Sequence, residues 1–224
     1  MNAETDDQIA QAEKEWLDLW QRGPVRTRWT GTPLQVGDSA PDFELVDSTG
    51  KNVRLSDFWR SAPTLLLFWR HYGCSCGMRR AQRLSSEYKD YIKVGGNVVV
   101  IGQGEPERAA LYAANNDLPC PVLCDPTYKV YEAYDLLEGQ PSQVFFDASD
   151  ELLRCEINAG REFAKLRHKT DRALVDNPWL LPGEFVVDRM GTVRLAFRYQ
   201  FCEDWPDPLV LIAALKEASW KKQF

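Results

Sequence analysis

The chain has 224 residues, 44% of them hydrophobic, and a formal net charge of −6. That length suits one large domain with an appendage, and the acidic balance argues against a nucleic-acid binder, which needs a basic footprint. No apolar run reaches membrane-spanning length, and the start, MNAETDDQIAQAEKEW, lacks the basic opening and apolar centre of a secretory leader. The expected compartment is a reducing cytoplasm, where six cysteines serve catalysis, redox sensing or packing rather than a disulfide framework.

Taken in order, Asp6–Arg22 reads as an amphipathic helix. Ile9, Ala12 (or Glu13), Trp16, Leu17, Leu19 and Trp20 form its apolar stripe, and Gly23-Pro24 stops it. Residues 1–35 are thus expected as a helical arm, docked on the main domain or on a second subunit. Gly37–Leu55 reads as two short strands around a turn at Ser48-Thr49-Gly50, and Ser56-Asp57-Phe58 opens a short helical segment. Leu65–Trp69 is a buried strand, and Val98–Gly102 is the next. Glu105–Asn115 is a helix with Pro106 in its first turn, and Leu118–Cys124 is a short strand limited by its prolines. Asp125-Pro126 caps a helix reaching about Tyr134. From Glu138 to Leu180 the pattern loosens into an insertion. Glu151–His168 has helical character there, and a basic run extends from Arg161 to Arg172. Phe185–Asp188 and Thr192–Tyr199 form a hairpin about Arg189-Met190-Gly191, and Asp207-Pro208 caps a last helix. Strands alternating with helices predict an α/β fold with helices on a sheet, which the closing hairpin makes mixed. Gly102-Gln103-Gly104 is too short for a dinucleotide fingerprint.

The chemistry gathers between the Leu65 strand and the helix after it. The strand ends at Arg70 and His71. Cys74 and Cys76 follow, and Met78, Ala81, Leu84, Tyr88 and Tyr91 (or Ile92) then recur at helical spacing until Lys93, Gly95 and Gly96. Two thiols therefore stand at a helix N-terminus, where unpaired N–H groups and the helix dipole favour thiolate. Arg70, Arg79, Arg80, Arg83 and His71 make a local basic cluster that pushes the same way. Such surroundings lower a thiol pKa of about 8.5 by one to several units. Cys120 and Cys124 add two further thiols. Cys-x-Cys with Cys-x3-Cys is a poor match to metal-ligand spacing, so no metal or other cofactor is expected. Cys155 and Cys202 read as packing thiols, or as partners that resolve an oxidised cysteine from a distance.

Several stretches resemble the thioredoxin-fold peroxiredoxins of the alkyl hydroperoxide reductase/thiol-specific antioxidant family. GDSAPDFELVDSTGKNVRLSDF is similar to that family's opening, PVLCDP to its strand ending in Asp-Pro, and FVVDRMGTVRLAFRY to its closing hairpin. RHYGC resembles the peroxiredoxin-like branch, with its arginine-rich lead-in and a glycine before Cys-x-x-Cys. The resemblance runs from about Val36 to Leu215, interrupted by the insertion at 138–180. It implies a thioredoxin-like domain over residues 36–224 and a cysteine that attacks hydroperoxides or disulfides. Matching RHYGC makes Cys74 the nucleophile. Matching the Phe68-Trp69 lead-in of thioredoxins instead places Cys76 on the second cysteine. The spacing is Cys-x-Cys, and the family's Pro-x-x-x-Thr/Ser-x-x-Cys is absent. Pro182 falls where thioredoxin-like reductases carry a proline, commonly in cis.

On this resemblance Cys74 attacks the peroxide or disulfide and Cys76 resolves it through a small, strained and easily reduced ring. Arg70 balances charge on the leaving atom, and His71 tunes the thiolate or shuttles a proton. Gly73, Pro182, Arg79 and Arg80 support the site. The reductant is a cytoplasmic thiol, thioredoxin-like or glutathione, and a homodimer is the family's habit. Two other classes fit the residues: a thiol–disulfide oxidoreductase, and a non-catalytic redox sensor or binding module.

Overall fold

Two runs in the middle of the chain, TLLLF and NVVVIG, are apolar at nearly every position, as strands covered on both faces must be. In the computed structural model, which describes residues 3–146 and 176–219, they are neighbours in a seven-stranded sheet. Its strands are β1 (Glu44–Asp47), β2 (Asn52–Arg54), β3 (Thr64–Phe68), β4 (Asn97–Gly102), β5 (Val122–Cys124), β6 (Gly183–Val187) and β7 (Val193–Arg198). Their order is β2-β1-β5-β4-β3-β6-β7. β3, β4 and β5 run parallel; β1 joins β5, and β6 joins β3, antiparallel. The mixed sheet is the one expected.

Alternate side chains of the central strands feed two cores. Leu65, Leu67, Val98 and Val100 pack with Ala81, Leu84 and Tyr91 of α3 (Ser75–Lys93), Ala109 of α4 (Pro106–Asn115) and Leu211 and Leu215 of the last helix, α6 (Pro208–Ser219). Leu66, Phe68, Val99 and Ile101 face the other way. They meet Leu55 and Trp59 of α2 (Leu55–Ser61) and Val130 and Tyr131 of α5 (Lys129–Ala133).

Local chemistry sets the boundaries. Gly95 ends α3 with φ +81°, a conformation that favours glycine. The Asp125 carboxylate accepts the backbone N–H groups of Lys129, Val130 and Tyr131, doing the capping expected of it although α5 starts four residues later. In the closing hairpin, Asp188 accepts the N–H groups of Met190 and Thr192. The strand expected at Leu118–Cys124 begins only at Val122, because Pro119 and Pro121 have no N–H to give a ladder.

Two expectations need correction. In α1 (Ala3–Arg22) the buried stripe is narrower than the sequence suggests: Ala12 and Trp16 are buried, while Leu17 is 57% exposed, a quarter turn off the stripe. The flanks of the insertion are also not loose. Glu138 bridges Leu180, Gly139 N–H donates to the Trp179 carbonyl, and Leu181 N–H donates to that of Leu137. The expected helix at Glu151–His168, the basic run and Cys155 lie outside the described residues.

Candidate active site

β3 delivers the chain to the site. Trp69 continues its ladder by donating to the Ile101 carbonyl at 2.8 Å. The chain then turns back: Cys74 N–H donates to the His71 carbonyl at 3.1 Å, which puts Gly73 at the third position of a tight turn. Cys74 is the cap residue of α3, with extended φ and ψ of −84° and 131°, and its side chain makes no capping hydrogen bond. Cys76 is the second residue of the helix. The two are joined in a disulfide with a Cα separation of 5.3 Å, within the span such a bond bridges. The helix carries no acidic residue in its first turn, so nothing there opposes a thiolate. Gly77 is required by packing: a Cβ there would lie 2.7 Å from Trp69 Nε1 and 2.9 Å from the Tyr112 hydroxyl, two groups already hydrogen-bonded to each other.

Arg70 and His71 are wholly inside the protein. Arg70 Nη1 donates to Cys74 Sγ at 3.3 Å, and Nη2 donates to the Pro178 carbonyl. His71 packs edge-on against Trp16 of α1, with ring centroids 5.4 Å apart. Behind them the Gln103 amide joins separate parts of the chain. Its Nε2 donates to the Arg70 and Asn177 carbonyls, and its Oε1 accepts Asn177 N–H at 2.7 Å. Asn177 in turn donates to Glu138, whose carboxylate also takes the N–H of Val25 and the Arg22 guanidinium. This network fastens the end of the N-terminal arm and both flanks of the insertion to the end of β3.

The arm closes the site from above. Trp20 meets Trp179 at 4.6 Å, and Trp179 Nε1 donates to the Leu19 carbonyl at 2.8 Å. Under this aromatic roof Cys74 is 0% and Cys76 2% exposed. Cys74 is thus shielded beneath this roof, while Cys76 also lines a cleft.

The remaining arginines are differently placed from the expectation. Arg80 makes a two-pronged pair with Glu184 of β6, at 2.8 and 3.2 Å, and also reaches Glu87 at 3.0 Å. The Tyr199 hydroxyl donates to the same Glu184. Burial alone would favour a neutral Arg80, but Glu184 overrides it and holds the guanidinium pKa well above its usual value. Burial, reinforced by Glu184, likewise pushes Tyr199 well up. Arg79 pairs with Glu203 at 2.9 Å and Arg83 with Glu87 at 3.0 Å. These carboxylates offset the charges that the sequence assigned to thiolate support, and Arg70 is the arginine seen on Cys74.

Pro182 lines one cleft with Cys76, Gly77, Arg80 and Cys202. Its peptide bond is trans, since the described residues contain no cis peptide. Cys120 and Cys124 lie apart, in the core beside β5. Burial pushes both thiols up to about 12, helped at Cys124 by Glu105. Among the described residues no three His, Cys, Asp or Glu side chains form a metal-binding group.

Sequence reasoning missed Gln103, Asn177, Trp179, Glu184 and Tyr199. Only Glu184 left a trace, as a carboxylate at the head of the apolar run Phe185–Val187. The Gly102-Gln103-Gly104 stretch has a steric meaning. A Cβ on Gly102 would fall 2.0 Å from the Tyr72 hydroxyl and one on Gly104 2.4 Å from its ring, so the glycines make room for the second residue of the site's turn.

The chain is similar to several known proteins. The chain is 27% identical over 176 residues to the chloroplastic thioredoxin-like protein AAED1 of Arabidopsis thaliana, covering 78% of this chain and 70% of the relative. It is 32% identical over 106 residues to the thiol-disulfide oxidoreductase ResA of Geobacillus kaustophilus (47% of this chain, 60% of the relative). It is 31% identical over 108 residues to peroxiredoxin Bcp of Escherichia coli (46% and 65%). Against these last two the chain therefore spans less than two thirds of the relative. The crystal structure of peroxidoxin BcpB from Mycobacterium tuberculosis superposes with a TM-score of 0.59 at 20% identity, covering 82% of this chain and 97% of that one, and shares the fold. Relatives are thus peroxiredoxins and thiol–disulfide oxidoreductases, and the Cys74–Cys76 pair fits a redox-active Cys-x-Cys motif. The AhpC/TSA family profile matches residues 36–196, most of the chain, and the chain belongs to that family.

Proposed function

We propose that the protein is a thiol-dependent peroxidase whose working group is the Cys74–Cys76 pair. The Cys74 thiolate attacks the O–O bond of a hydroperoxide, becomes a sulfenic acid and releases an alkoxide or hydroxide that takes up a proton. The Cys76 thiol then displaces water from that sulfur and forms the disulfide. Two electrons from an external thiol, thioredoxin-like or glutathione, restore both cysteines in a reducing compartment such as the cytoplasm. The observation that carries this reading is Cys74 on the cap position of α3 with Arg70 at 3.3 Å and Cys76 already bonded to it. A helix N-terminus and a guanidinium both stabilise the attacking anion.

A second reading, a thiol–disulfide oxidoreductase, is favoured by Pro182 beside Cys76 and by the ResA relative. It is favoured also by His71, which stands three residues before Cys74, where peroxiredoxins have a hydroxyl. Mass spectrometry of the reduced protein after one equivalent of hydrogen peroxide separates the two. Rapid loss of about two mass units from the tryptic fragment His71–Arg79 is expected of the peroxidase. Thiols that stay reduced for minutes, yet are oxidised by a protein disulfide, would replace it with the oxidoreductase. Inertness to both would leave a redox-independent binding module, whose partner binding survives Cys74→Ser.

A further inference from the structure

A third sulfur shares the site. Cys202, in the loop after β7, is buried in one cluster with Cys74, Cys76, Trp179 and Leu181. It also lines the cleft beside Cys76, and among the described residues lining that cleft Cys74 is absent. The loop is fixed in place from α3. Arg79 pairs with Glu203 at 2.9 Å, and Arg83 donates to the Pro206 carbonyl at 3.3 Å while its guanidinium lies 5.2 Å from the Trp205 ring centroid. Cys202 N–H donates to the Gln143 carbonyl at 3.3 Å, which ties the loop to the insertion flank as well. Arginines one and two turns beyond Cys76 thus hold the loop that carries Cys202 against the helix that carries Cys76.

We propose that Cys202 is a third redox cysteine, which takes the disulfide over from Cys74. The inference rests on the reading of Cys74–Cys76 as the redox pair. The Cys202 thiol loses its proton to solvent, and its thiolate attacks Cys76 Sγ. The Cys76–Cys202 bond forms, the Cys74–Cys76 bond breaks, and the electron pair leaves on the Cys74 sulfur. The exchange is redox-neutral and uses only the oxidising equivalents delivered by the substrate in the first step. Its direction follows from the surroundings of the leaving group. The departing thiolate is better stabilised at Cys74, on the helix cap with Arg70 against it, than at Cys76. The result is a free Cys74 thiolate and a disulfide along the cleft.

The test is peptide mapping of the wild-type protein, reduced, treated with one equivalent of hydrogen peroxide, blocked with N-ethylmaleimide in acid and digested with trypsin. Cys74 and Cys76 share the fragment His71–Arg79, and Cys202 lies in Tyr199–Lys216. A disulfide-linked pair of these fragments is expected in on the order of a tenth or more of the oxidised protein. In Cys74→Ser oxidised with diamide the link becomes the main disulfide, which assigns it to Cys76, and in Cys202→Ser it vanishes. Oxidised wild-type protein that carries the bond only within His71–Arg79 would overturn the relay while leaving the peroxidase reading intact. No variant has to fold for that result to be read. An unoxidised His71–Arg79 fragment would instead strike the peroxidase reading itself.

Discussion

Two cysteine pairs are buried in this molecule, each near the end of a parallel strand, and their surroundings differ. Cys74 and Cys76 lie past β3, on the first turn of a helix, with the Arg70 guanidinium on one sulfur. Cys120 precedes the short β5 and Cys124 ends it, both buried in the core, and burial raises both thiols to about 12. Depth in the protein is nearly the same for the two pairs. What differs is what an anion would meet: the N–H groups of a helix start and a guanidinium bonded to the sulfur in one case, and in the other a burial that Arg80 near Cys120 and Arg108 near Cys124 do not offset. A buried thiol is therefore held protonated by desolvation unless dipoles and charges aimed at its sulfur outweigh it.

The largest break of this comparison is Cys74→Ser, expected to lower peroxide turnover by at least ~1,000-fold. Cys120→Ala and Cys124→Ala should stay within about twofold in kcat/KM and lose about 1 kcal/mol of stability, read from steady-state assays and denaturant melts. Alkylation of the reduced protein sharpens it further. A thiol raised to about 12 stays protonated until the pH nears that value. At pH 8 only ~10⁻⁴ of Cys120 and Cys124 is thiolate, and labelling with iodoacetamide should be on the order of 100-fold slower than at Cys74. Arg70→Met removes the guanidinium bonded to the Cys74 sulfur. It should slow the first oxidation step on the order of 10-fold to 100-fold in rapid-mixing experiments. A smaller gain in rate is expected from opening the roof. Trp16→Ala should speed reduction of the Cys74–Cys76 disulfide by a bulky thiol about threefold, with no change in the labelling of Cys120 or Cys124.

The strand, the two thiols and the helix behind them were legible because each is local. Five apolar residues, a break, then apolar side chains at helical spacing can be read within about thirty residues of chain. The fold was legible for the same reason at each strand, with Pro119 and Pro121 shortening one of them. The arginine cluster was misread because its partners come from elsewhere: Glu184 from β6 and Glu203 from the loop after β7. Arg80 looks like a free cation in sequence and is an ion pair in the fold. The roof was half legible. Trp16 and Trp20 stood out on an amphipathic helix, but nothing local says that they close over His71 and Trp179. Gln103 and Asn177 are 74 positions apart and act as one hydrogen-bonded unit, a pairing that only the tertiary topology creates.

The central claim is that the fold prepares Cys74 as an anion, and the most direct measurement is the pH dependence of its alkylation. The reduced protein would be pulsed with iodoacetamide across a range of pH, and the fragment His71–Arg79 quantified by mass spectrometry. The account predicts an inflection for Cys74 at least about one unit below the free-thiol value of about 8.5, moving upward in Arg70→Met. An inflection at or above that value, unmoved by the loss of Arg70, would contradict it.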